Sequence, residues 1–321
     1  MVQADRRLAG QVRRLAGQRM VFFAGLPGTG KSLLVHQLAH LAGAGGRRVH
    51  LVQWDVARPV FEASPAARRY PVVEGVTHVV VRKAAGLWVR HALAEWSARH
   101  PEPEHLLIGE TPFVGGRFIE LARRRNDRAE ALLAAPACRF VIVVPSVDVR
   151  RFLEAERERR AANPLHPRER EDAPPGVLRE LWRELVDVAR RLDLEAPVDA
   201  GDASAAYDPT VYRRVYETIL HDRHVEVVAL DVILPTAGLS VYDFAAAPLD
   251  LVPSEADASS FIAEVERRYA DPMALEREIA RWWQVPGTAL TPARTPPARP
   301  RPGTTRGGTP PRSRRSSAGP A

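Results

Sequence analysis

Eight residues near the start of the chain restrict its fold more than any others: Gly25-Leu26-Pro27-Gly28-Thr29-Gly30-Lys31-Ser32. The glycines at 25, 28 and 30 let the backbone take conformations that side chains forbid. A backbone bent that way can aim successive N–H groups at one point and form an anion-binding hollow. The flanks fix its setting. Met20-Val21-Phe22-Phe23-Ala24 is a short, continuous apolar run, the form of a strand buried on both faces. Residues 31–43 carry Leu34, Leu38 and Leu41 at helical spacing, so a helix opens at the lysine and turns its positive end back on the loop. Only Lys31 and Lys83 are lysine among 46 basic residues. A site that takes lysine in a chain otherwise committed to arginine is thereby marked.

Further apolar runs at 49–54, 105–108, 139–144 and 225–232 alternate with helical stretches. Five such runs predict a parallel sheet with right-handed crossovers. Helices are expected at 3–18, with Leu8, Val12 and Leu15 on one side, and at 77–99, 126–135, 148–162, 175–192, 209–221, 255–269 and 272–283. Trp88, Trp96 and Cys138 read as core, His78 as a helix-start residue and Lys83 as an ordinary exposed lysine. The expected division is a basic helix over 1–19, an α/β body over 20–285 and a tail over 286–321.

Charge bears on the tail alone. The net charge of +7 comes from seven arginines beyond residue 287, where no acid occurs; the rest holds 39 basic and 39 acidic residues. With Leu290 as its only large apolar residue, the tail cannot offset its ordering entropy and is expected to be disordered. Its arginines predict weak, salt-sensitive polyanion binding and nothing more specific. One cysteine excludes an internal disulfide framework and a Cys-rich zinc site. The absence of an 18-residue apolar run argues against a membrane partner, and a cytoplasmic location is expected.

The eight residues match G-x-x-x-x-G-K-[ST], the Walker A pattern. Over about residues 20–235 the chain resembles the P-loop NTPase superfamily. The resemblance implies that Gly25, Gly28, Thr29 and Gly30 cradle nucleotide phosphates, that Lys31 reaches the β- and γ-phosphates and that Ser32 binds Mg²⁺. Several branches are excluded. Neither lysine follows an asparagine, so the Asn-Lys-x-Asp of Ras-type GTPases is missing, as is the Leu-Ser-Gly-Gly-Gln of ABC transporters. The third apolar run continues into Gly109-Glu110 and lacks the aspartate usual in AAA+ and RecA-like ATPases.

What remains resembles the P-loop kinases. That implies a three-layer α/β fold with a five-stranded parallel sheet, a helical C-terminal extension over 236–285, and ATP- and Mg²⁺-dependent phosphoryl transfer to a small hydroxyl or phosphate acceptor. Residues 55–104 take the place of an acceptor cap and 148–176 that of a lid. Asp55, at the end of the second run, would orient or deprotonate the acceptor. Arg58 would clamp an anionic group of the acceptor, and Gly115-Gly116 would present Arg117 to a phosphate. Glu110 would hold Mg²⁺ through water or align the acceptor. Arg157 and Arg160, one turn apart, are the first lid arginines, with Arg151 next. Plainer readings stay open: a loop carboxylate for Asp55, a surface arginine for Arg117, and a solvated face of Glu–Arg pairs for 148–162. So does a P-loop ATPase or nucleotide-dependent switch acting on a macromolecular partner, with Glu110 polarising water.

Overall fold

The computed structural model describes residues 5–171, 173–194, 206–234, 238, 240 and 249–285. The expected disordered tail over 286–321 lies outside them, as does part of the stretch opening the C-terminal extension.

Six strands form one sheet: β1 Met20–Ala24, β2 Arg48–Gln53, β3 His105–Thr111, β4 Cys138–Pro145, β5 Val225–Leu230 and β6 Leu249–Asp250. Their order is β5-β4-β1-β3-β2-β6, and every neighbouring pair is parallel. The expected count of five is corrected to six. The added strand is two exposed residues laid against His50 and Leu51 of β2, too short to leave an apolar run.

Strand alternation produces three layers. In β1 Met20, Phe22 and Ala24 enter one core while Val21 and Phe23 enter the other. Phe140 and Ile142 of β4 oppose Val141 and Val143 in the same way. This is why the strands read as continuous apolar runs. The smaller core lies under α1 (Arg6–Ala16) and α2 (Lys31–Ala44), where Leu8, Val12 and Leu15 of α1 are buried. The basic first helix is thus part of the body, and its Arg7 reaches the β5 end at Ala229 O and Asp231.

The larger core lies under α3 (Trp54–Ala63), α4 (Val79–Arg99), α7 (Pro175–Arg191), α8 (Pro209–Ile219), α9 (Glu255–Arg268) and α10 (Pro272–Ala280). The C-terminal helices therefore belong to the core, with Ile262, Val265 and Ile279 buried in it. The expected 126–135 helix shrinks to α5, Glu130–Leu133. Among the described residues no helix is long and apolar enough to cross a membrane.

The α4 helix buries Val81, Ala85, Trp88 and Trp96, so much of the expected 55–104 cap is central packing. It also overturns the expectation for Lys83, which is 1% exposed. Its Nζ lies 2.7 Å from Glu120 Oε1 and 2.6 Å from Glu278 Oε1. Arg123 and Arg125 complete the charge around Glu120. The helix face beside this cluster is bare at Gly86, where a Cβ would stand 2.7 Å from Glu120 Cγ.

Candidate functional site

The loop after β1 needs its glycines for conformation and for space. Gly25, Gly28 and Gly30 have φ of 145°, 71° and 86°. A Cβ on Gly25 would stand 1.9 Å from the Tyr212 hydroxyl of α8, and one on Gly30 2.8 Å from Leu230 Cδ2. The loop is tied from within and from outside. Thr29 Oγ1 donates to Leu26 O at 3.0 Å and Lys31 Nζ to the same carbonyl at 2.7 Å. From the α6 helix (Val147–Ala162), Arg150 Nη1 donates to Pro27 O at 2.9 Å and Gly28 O at 3.1 Å, while its Nε pairs with Glu154. Gly30 caps α2 without a side-chain hydrogen bond. The N–H groups of a helix's first turn have no partner within the helix.

Lys31, Ser32 and Glu110 meet at the loop's end. Glu110 lies within β3, in register with Phe23 of β1 and Gln53 of β2, and does not follow the strand as expected. Both of its carboxylate oxygens lie 3.4 Å from Ser32 Oγ, and one lies 3.5 Å from Lys31 Nζ. Burial pulls the Lys31 ammonium below its ordinary pKa, and Glu110 opposes the shift. Arg157 adds to it and Asp55 works against it, so both are close enough to be felt at the lysine.

These groups open into a cavity of about 1250 Å³. Asp55 lines it, exposed, from the first turn of α3; β2 ends two residues earlier, so the expectation of a strand-end carboxylate is corrected. Arg58 lines it one turn on, paired with Glu62 at 2.9 Å. Arg117 comes from the loop after β3, where its Nη1 donates to Val114 O at 3.2 Å. That loop is bracketed by Phe113 and Phe118, buried non-glycine residues with φ of 59° and 56°. Such conformations cost about 1–3 kcal/mol each and gather where a loop presents a group.

Three residues were missed or misjudged in the sequence. Arg82 of α4 also lines the cavity, donates to Gly115 O at 2.5 Å, and has a buried Nε without a hydrogen-bond partner. Burial and the neighbouring Arg117 push it down to about 10; burial lowers Arg117 too, with Arg58 adding and Glu184 opposing. Arg150 was hidden among the arginines of α6, yet it holds the loop. Arg151 is 74% exposed, lies 3.6 Å from Asp148 and does not line the cavity. Arg157 and Arg160 both line the cavity, donating respectively to Ala173 O at 3.1 Å and Glu156 at 2.8 Å. His78 caps α4 as expected, accepting from Val80 N, and Cys138 is buried, its thiol pushed up to about 12 by desolvation.

No family model, no curated protein and no solved structure matches this chain.

Proposed function

We propose that the chain is an ATP- and Mg²⁺-dependent phosphotransferase, a P-loop kinase acting on a small acceptor. One observation carries the reading: Lys31, Ser32 and Glu110 converge beside a glycine loop, at one side of a cavity that continues to Asp55, Arg58, Arg82 and Arg117. The residues fit the groups the reading requires. The loop keeps side chains out at Gly25 and Gly30 and leaves the start of α2 uncapped, which suits phosphate oxygens. Ser32 and Glu110 offer hard oxygen donors, which suit Mg²⁺. ATP, when bound there, supplies the phosphoryl group.

The rest follows from the chain's own side chains. Lys31 contributes a fixed, desolvated positive charge, and such charges act more strongly than in water. Ser32 and Glu110 hold the metal's side of the site. Asp55 is the carboxylate on the acceptor side, free of the loop, and takes the proton of an acceptor hydroxyl. Arg58, Arg82 and Arg117 crowd together at the far end, where an anionic group of the acceptor would relieve their mutual repulsion. Arg157 and Arg160 face the same space from α6 and screen it from water.

The test is ADP release with Mg-ATP across nucleosides, nucleotides, sugars, sugar phosphates and antibiotics. One class should stimulate turnover, anionic members most. If ATP use proceeds at one rate with every compound, the ATPase reading replaces the kinase. The contact of Glu110 with Ser32 suits that reading too, since a carboxylate there can orient water.

A further inference from the structure

Histidines gather at the opposite end of the sheet. His50 is in β2, His100 ends α4 as its C-cap, and His105 opens β3. Each offers a ring nitrogen, and the three nitrogens lie within 4.8 Å of one another. His50 Nε2 and His105 Nδ1 are 2.8 Å apart. The His100 and His105 rings are stacked with centroids 4.4 Å apart, and the His50 ring is tilted by 39° against His100 at 4.7 Å. His50 and His105 are buried and His100 is half-buried.

We infer that His50, His100 and His105 form a binding site for a zinc-like divalent cation, separate from the Mg²⁺ site proposed above. Zinc–imidazole bonds of about 2.0–2.1 Å put tetrahedral ligand nitrogens roughly 3.4 Å apart. The present spacings, 2.8 Å for one pair and within 4.8 Å for all three, bracket that value, and the stacked His100 and His105 rings must turn for their in-plane lone pairs to converge on one ion. The 2.8 Å contact requires one of its two nitrogens to be unprotonated, and the cation takes the place of the shared proton. His105 then binds through Nδ1. Its Nε2 already points at Glu102, 3.7 Å away, the carboxylate–histidine–metal arrangement that fixes a ligand ring. Imidazole ligands suit zinc, and the half-exposed side at His100 leaves the fourth position to water.

The supporting shell is already rigid. Arg19 donates to the carbonyls of His100, Glu102 and His105 and lies over the Trp96 ring at 4.3 Å. Arg47 donates to Pro103 O and His105 O. Pro101 and Pro103 stiffen the same loop. Glu102 and Glu104 act on Arg19 against its burial, while Arg99 and Arg48 add positive charge near His50 and His105.

The experiment uses the full chain stripped with EDTA and titrated with Zn²⁺, then with Co²⁺ for its visible absorption. The expected result is one ion per chain with imidazole-type cobalt bands. Glu102→Gln should weaken zinc by about 10–100-fold. His105→Asn and His100→Asn should weaken it more, the second at a half-exposed cap that leaves the fold intact by circular dichroism. Lys31→Ala and Glu110→Gln should bind zinc as the unaltered chain does, whether or not the chain proves to be a kinase. Less than one ion per chain, or equal affinity in folded His100→Asn and His105→Asn, overturns the inference, as does loss of the ion in Glu110→Gln.

Discussion

The chain's two lysines are both buried, at 3% and 1% exposure, and their surroundings differ in kind. Lys83 has two carboxylates at hydrogen-bond distance, on α10 and on the turn before α5, and does not line the cavity of the glycine loop. Lys31 has a backbone carbonyl and one carboxylate at 3.5 Å, and it fronts open volume. A saturated buried charge is a packing element. An undersaturated one retains attraction for something else. Burial alone does not distinguish them; the inventory of partners does.

That contrast is open to direct attack. The largest effect expected is from Lys31→Ala, which should take Mg-ATP turnover to background with little change in melting temperature. Calorimetry showing unaltered ATP affinity in the folded variant would put the lysine back among structural residues. Next, Asp55→Asn should cut acceptor phosphorylation by about 10²–10⁴-fold with ATP affinity near normal. Steady-state kinetics in acceptor and in ATP separate the two, and full turnover in the variant removes Asp55 from the mechanism.

Lys83→Met should show the reverse profile. Removing one partner of a buried charge cluster costs about 3–5 kcal/mol, here read by urea unfolding, while ATP affinity is retained. A neutral effect on stability would show the cluster to be dispensable. A smaller effect follows with acid. Burial raises the Glu278 carboxyl, but Lys83, Tyr269 and Arg123 outweigh it and hold it at about 2, against an ordinary 4.5. A carboxyl depressed in the folded state stabilises fully above its unfolded pKa, and that stability is lost as pH falls from about 4.5 toward 2. Urea midpoints across that interval should fall, and fall less in Lys83→Met. The smallest effect should come from ending the chain at Pro286: melting and ATP affinity unchanged, with any salt-sensitive retention on polyanions gone.

Much of the framework was legible because strands buried on both faces leave uninterrupted apolar runs, as 20–24 and 139–144 do. The glycine loop was legible for a different reason: its residues are consecutive, so spacing along the chain is spacing in space. Both advantages fail elsewhere. The strand β6 is two exposed residues paired with His50 and Leu51 of β2. Asp55 was placed one element too early because Trp54 extends an apolar run while already opening a helix. With arginines at five positions over 150–160, nothing in composition singles out Arg150; its contact with the loop depends on which side of α6 meets the sheet. Lys83 read as exposed because its partners, Glu120 and Glu278, lie 37 and 195 positions away. The three histidines share that difficulty, since β2 and the start of β3 become neighbours only in the folded sheet.

Gly86 carries a consequence for how such a chain can change by descent. A glycine inside a helix costs roughly 0.5–1 kcal/mol relative to alanine, so mutation toward alanine gains propensity at once. Here the new methyl would meet Glu120 Cγ at 2.7 Å and lift the carboxylate from Lys83. Any lineage keeping the charge cluster is therefore confined to glycine at 86, and one that drops the cluster is released from it. The three positions should be inherited, and exchanged for apolar residues, as a block. A relative carrying a large residue at 86 would be expected to have lost the lysine as well.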